Sequence, residues 1–189
     1  MMYHDRLCEV ISQNRKEIDF GIIKLTKLIE SIIEKKRNIW VIGNGGSSSS
    51  AEHFETDLSL IRYTDVNIKI NVQALTANSS LITATANDLS FTDIFASNLK
   101  RRLSKKDLLI AISASGNSPN IIRAVELASE LGAVTFGLVG FNGGTLKSKC
   151  DNNILVMSNL GEYEIVEDIH LSILHAVKLE LIRSLGLRH

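Results

Sequence analysis

The sequence predicts an α/β protein: a doubly wound, Rossmann-like, five-stranded parallel sheet flanked by helices. Three observations predict it. Short apolar runs at residues 38–43, 107–112, 133–139 and 153–157 have the length and composition of strands buried on both faces. Segments with apolar residues at helical spacing alternate with them. Two of the runs end in glycine- and serine-rich turns that open a helix, as parallel strands do where they meet a ligand.

Residues 5–36 form the first predicted helix, with Leu7, Val10, Ile11, Ile18, Ile22, Leu25, Leu28, Ile29, Ile32 and Ile33 at helical spacing. Lys35, Lys36 and Arg37 suit its carboxyl end. More than one apolar stripe runs along it, so it is expected to pack against another subunit as well as its own core. A strand at 38–43 leads into a helix at 47–61. Residues 66–75 alternate apolar and polar (Val66, Ile68, Ile70, Val72, Ala74) as a further strand does. Helices are expected at 79–86 and 91–103, then a strand at 107–112. The helix at 118–131 has Pro119 in the favoured first position and Ser118 as its cap. A strand at 133–139, a short helix at 144–149, a strand at 153–157 and a helix at 163–185 complete the pattern.

With 189 residues, one proline and no low-complexity linker, residues 1–189 read as one domain whose first 36 residues are a helical segment for oligomerisation. Lys+Arg and Asp+Glu both number 21. That balance argues against nucleic acid as a partner, because a phosphate backbone needs a basic excess. It leaves room for a small phosphate, which a few backbone N–H groups can hold. Cys8 and Cys150 fit two reduced thiols in a cytoplasmic protein. The amino terminus is too charged for a signal peptide, and no apolar run approaches the ~20 residues that span a bilayer.

The chemistry concentrates in two loops, residues 43–50 (GNGGSSSS) and residues 113–118 (SASGNS). Glycine lets the backbone approach a ligand, helix N-termini present unpaired N–H groups, and serine adds donors without bulk. A phosphate dianion suits both loops. Neither matches a nucleotide P-loop or a dinucleotide fingerprint.

These loops, read as GNGGSSSSAEHF and SASGNSPN, together with Asn87-Asp88 before Phe91 and the segment Ile165 to His170, resemble the sugar-isomerase (SIS) family in its phosphoheptose isomerase branch. The likeness runs in order over nearly the whole chain. It implies an SIS fold and a phosphate cradle of Ser47, Ser113, Ser115 and Ser118, with Ala114 where the family often has threonine. Asn44 would meet sugar hydroxyls, and Gly45, Gly46, Asn87, Asp88 and Glu167 would complete the substrate-binding set. His53 and Asp57 are i,i+4 on one helical face, and Glu167 and His175 are two turns apart on the last helix. The resemblance implies that these four hold Zn²⁺, a metal that accepts nitrogen and oxygen ligands.

The implied reaction is aldose–ketose isomerisation of sedoheptulose 7-phosphate to D-glycero-D-manno-heptose 7-phosphate through an enediol, feeding heptose into lipopolysaccharide or capsule. Asp57 would be the base at carbon and His175 the proton donor at oxygen. Departures from the family pattern are Asp57 for glutamate, Glu167 for glutamine, Ser50 and Asn78 for aspartates, and Glu164 for aspartate. A homotetramer with sites near subunit borders is implied, where Arg62, Gln73 and Lys100 to Arg102 could reach a neighbouring site. The alternative is a non-catalytic protein of the same fold, binding a phosphosugar or the DNA-replication initiator.

Overall fold

Alternating side chains decide the layering. In the computed structural model, which describes residues 2–61 and 68–187, Ile39, Val41, Leu108, Ile110, Ile112, Phe136, Leu138, Ile154 and Val156 face one side of the sheet. Trp40, Ile42, Leu109, Ala111, Val139 and Leu155 face the other. Both faces are apolar, so both must be covered by helices.

The elements in order are α1 (Tyr3–Glu34), β1 (Asn38–Gly43), α2 (Gly46–Ile61), β2 (Asn71–Ala74), α3 (Ser79–Asp88), a 3₁₀ turn (Phe91–Asp93), α4 (Ala96–Arg102), β3 (Leu108–Ser113), α5 (Pro119–Glu130), β4 (Val134–Phe141), α6 (Leu146–Lys149), β5 (Asn152–Met157) and α7 (Tyr163–Ser184). The first apolar layer is closed by α1, α2 and α7, the second mainly by α4 and α5. All strand pairs are parallel, in the order β2-β1-β3-β4-β5. The sequence expectation of one helix over 91–103 is corrected to the 3₁₀ turn and α4. Ser90 accepts from the Asp93 N–H, and the backbone turns before α4 starts. The expected strand over 66–75 is ordered as a strand only from Asn71, and Val66 lies outside the described residues. Lys35, Lys36 and Arg37 follow α1 rather than ending it, since Lys36 turns left-handed (φ 52°).

Helix α1 lies against β5 and α7. Val10, Ile18, Ile22, Leu25, Ile29 and Ile32 enter the shared core. Three polar ties fix its start. Asn14 both donates to the Met157 carbonyl (2.9 Å) and accepts from its N–H (2.8 Å). Arg6 grips Glu162 with two bonds of 2.8 and 2.9 Å, and this guanidinium holds the Glu162 carboxyl down at about 2. The Tyr3 hydroxyl donates to Asp168 at 2.7 Å.

At the opposite edge from the serine loops, Asp107 is fully buried and accepts from the Asn38 N–H and side chain, the Trp40 indole and the Ser104 N–H. One carboxylate thereby joins β1 to the start of β3. Replacing it orphans several buried donors. Asp107→Ala is expected to lower unfolding stability by about 3–5 kcal/mol, measured by urea denaturation.

Candidate functional site

The strand order reverses direction between β1 and β3: the chain goes from β1 outward to β2, then returns to the other side of β1. Ligand crevices form at such switch points, beyond the carboxyl ends of the strands. Gly43 pairs with Ile112, so the two serine loops leave adjacent strands side by side. Between them lies a cavity of about 110 Å³, lined by Asn44, Ser47, Ile112, Ser113, Ala114, Ser115, Ser118, Tyr163 and Glu167.

Each wall has a local reason. Ser47 sits in the first turn of α2, whose leading N–H groups lack carbonyl partners within the helix. Gly45 takes a left-handed φ of 55° to enter that helix. A Cβ on Gly46 would stand 2.2 Å from Glu167 Oε2, so glycine is what lets α7 lay its carboxylate on the start of α2. Burial first, and then Glu164 and Asp168, push the Glu167 carboxyl above its ordinary range. In the second loop, Ser113 Oγ accepts from the Gly116 N–H at 3.1 Å, and Ser115 Oγ accepts from the Asn117 N–H at 3.2 Å. Gly116 (φ 64°) is crowded by the Gly143 carbonyl, 2.1 Å from where a Cβ would be, which seats this loop on the one after β4.

Ser118 occupies the cap position of α5 but makes no side-chain cap bond, which corrects the sequence expectation. The Asn120 side chain takes the Ile121 N–H instead, leaving the Ser118 hydroxyl to the cavity. Asn120 is fully buried and exchanges two amide bonds with Asn44, of 2.9 and 2.8 Å. Asn44 is thus held at the cavity rim by a partner that sequence reading did not single out.

Further along the same two helices a second cluster forms. Asp57 follows Phe54 on the core-facing stripe of α2 and is buried, whereas His53 is exposed. His175 of α7 brings its Nε2 to 2.9 Å from His53 Nε2. Asp57 Oδ2 lies 3.6 Å from His53 Nε2 and 3.9 Å from His175 Nε2, and it is buried without a hydrogen-bond partner among the described residues. Lys178 donates to the other oxygen, Oδ1, at 2.6 Å. Three ligand atoms with edges of 2.9, 3.6 and 3.9 Å bracket the edge of about 3.3 Å that tetrahedral zinc-type coordination requires. His53, Asp57 and His175 therefore form a group able to hold a metal ion. The unpartnered Oδ2 is the feature a cation would satisfy.

Glu167 was expected in this ligand set. Its carboxylate is instead turned onto Gly46 in the cavity and is not gathered with the other three, because it stands two helical turns before His175. Asn87 and Asp88 are exposed at the end of α3, bonded to each other, and do not line the cavity. Arg102 stacks on the Trp40 ring at 4.7 Å and bonds Gln73, so both are engaged within their own chain. Arg62 lies outside the described residues. Tyr163 and Lys178 were not anticipated. Lys178 had a legible signal, since it stands three residues after His175 on the same helical face.

Comparison with known proteins adds to this geometry. The SIS domain family model matches residues 2–140. A phosphoheptose isomerase from Aliarcobacter butzleri is 32% identical over 177 residues, covering 94% of this chain and 90% of the relative. Phosphoheptose isomerase 1 from Campylobacter jejuni is 35% identical over 156 residues, 82% of each chain. The solved structure of a phosphoheptose isomerase from Francisella tularensis superposes with a TM-score of 0.85 at 26% identity, covering 96% of this chain and 95% of that one. The one from Neisseria gonorrhoeae has the same fold, with a TM-score of 0.85 at 24% identity over 95% of both chains.

On α7, between Glu167 and His175 in the chain, His170 is fully buried, and neither ring nitrogen makes a well-formed hydrogen bond among the described residues. Burial pushes its pKa down to about 4, with the Val139 backbone opposing the shift only in part. The unfolded imidazole takes up a proton near pH 6.5, whereas the folded one does so only near 4. Stability is therefore expected to fall as pH drops through that window, by on the order of 3 kcal/mol. Melting curves between pH 7 and 4 test this, and His170→Leu should flatten the slope.

Proposed function

The chain belongs to the SIS domain family, and from that premise we propose that it is an aldose–ketose isomerase of phosphosugars, interconverting sedoheptulose 7-phosphate and D-glycero-D-manno-heptose 7-phosphate. The reading rests on one arrangement. A cavity of hydroxyls and helix-start amides, suited to a phosphate, sits on the same two helices as a buried carboxylate between two imidazoles. Ser47 and His53 are six residues apart on α2, roughly 9 Å along the axis. That separation suits an open-chain sugar phosphate held by its tail. A protein that only bound a sugar or an initiator would have no use for the second cluster.

Ser47, Ser113, Ser115 and Ser118 hold the phosphate, and Asn44, with Glu167, orients the sugar hydroxyls. Fixing the remote end converts binding energy into orientation of the reacting carbons. Asp57 takes the proton from C1 of the ketose through Oδ2. His175 gives a proton to the C2 oxygen and accepts one from the C1 hydroxyl. The electron pair of the C1–H bond becomes the enediol double bond, and return of the proton to C2 completes the aldose. A divalent ion, Zn²⁺ in our reading, would be held by His53, Asp57 and His175 and would polarise the carbonyl.

The assembly we propose is a homotetramer in the cytoplasm. Exposed Phe20 and Ile23 on α1 support the oligomer, since these large apolar side chains stand 65% and 52% in solvent in the single chain. No helix among the described residues is long and apolar enough to cross a membrane.

Purified protein supplied with Zn²⁺ is expected to convert sedoheptulose 7-phosphate to the aldose, followed by NMR. Asp57→Asn and His175→Gln should each lower kcat by about 10²–10⁴-fold. Full turnover in both variants would remove these residues from the mechanism. Sedimentation velocity should give about four times the 20.8 kDa chain mass.

A further inference from the structure

Asp57 has two oxygens in two different situations. Oδ2 faces both imidazoles and is buried with no hydrogen bond to the described residues. Oδ1 is taken by Lys178 at 2.6 Å, and the lysine side chain is only 24% exposed, so the contact is not a mobile surface pair. A carboxylate that serves as base and as metal ligand has competing demands on the same lone pairs. The ammonium removes half of them from the competition and fixes the rotation of the group.

We propose that Lys178 is a positioning residue that withholds Oδ1 and confines Asp57 to work through Oδ2 alone, and that by limiting the carboxylate to one contact it weakens the hold of the site on its metal enough for Oδ2 to pass between the ion and the substrate proton. This inference rests on the reading of His53, Asp57 and His175 as the reacting cluster. The carboxylate of Asp57 and the ammonium of Lys178 offset each other, so the pair presents no net charge to an arriving divalent ion. Loss of the ammonium leaves a net negative charge and frees Oδ1, so a cation is gripped by both oxygens and the base is consumed as a ligand.

The predicted signature separates this role from a structural one, because affinity for metal and rate of turnover move in opposite directions. Protein stripped by a chelator is titrated with Co²⁺ and with Zn²⁺ against a competing chromophoric chelator. Lys178→Met is expected to bind at least about tenfold more tightly than the unaltered protein, with a changed Co²⁺ visible spectrum as the second oxygen enters. Its kcat with sedoheptulose 7-phosphate is expected to fall about 10–100-fold while KM stays within about twofold. Lys178→Arg keeps the charge and should restore metal affinity to the unaltered value. Lys178→Gln serves as a second uncharged replacement should the methionine variant fail to fold. Unchanged or weaker metal binding in a folded uncharged variant overturns the proposal, as does undiminished kcat. Asp57→Asn and His175→Gln run alongside. If they leave metal binding and turnover intact, the cluster reading itself is wrong. If they abolish both while Lys178→Met matches the unaltered protein, only the role of Lys178 falls.

Discussion

The parallel pairing of β1 with β3 is the constraint on which the rest of the molecule depends. It sets Gly43 beside Ile112 and so brings two turns, separated by some seventy residues of chain, to one point at the edge of the sheet. Without that adjacency neither loop is more than a tight connection. With it, four serine hydroxyls and the start of α2 converge on a volume of about 110 Å³. The same pairing is held from its other end by Asp107, which stands just before β3 and accepts from the Asn38 N–H and the Trp40 indole of β1 and from the Ser104 N–H. Fold and site are thus secured at opposite ends of the same two strands, and damage to one end need not be read as damage to the other.

The second dependence is the packing of α2 on α7. Their contact is mostly apolar, with Phe54, Leu58 and Ile61 of one helix and Ile173, Leu174 and Val177 of the other in a common core. Asp57 is the exception on that stripe. A carboxylate at a core-facing position has to be matched, because desolvating a lone charge is far more unfavourable than a lost hydrogen bond. Lys178 matches half of it, and the imidazoles of His53 and His175 stand at the other half. Chemistry here is built on rigid helices rather than on mobile loops, which suits a reaction needing placement to a fraction of an ångström.

The fold was legible because its signals are local. Apolar runs of five to seven residues, each bounded by turn residues, gave the strands from Asn38, Leu108, Val134 and Asn152, and helical spacing gave α1, α2, α5 and α7. The two glycine- and serine-rich loops were legible at the strand ends, the likeness to the SIS family picked out Asn44, Ser47, Ser113, Ser115 and Ser118 within them, and all five line the cavity. What escaped depends on side-chain direction. Spacing puts Glu167 and His175 broadly on one side of α7, but it does not tell which way a flexible carboxylate turns, and Gly46 offers it a nearer resting place. Ser118 carries the ordinary signature of a cap, yet Asn120 displaces it by reaching the Ile121 N–H first. Lys178 reads as one more solvated charge until its partner is seen to be buried.

The first turn of α1 has a reach beyond its own packing. Tyr3 bonds Asp168 and the Glu164 carbonyl, and Arg6 bonds Glu162, so two side chains clasp the stretch on both sides of Tyr163. Tyr163 is itself a wall of the anion cavity. The amino terminus therefore acts as a buttress for the binding pocket. Bulk grafted there, such as a purification tag or a fused partner, will be transmitted to that wall.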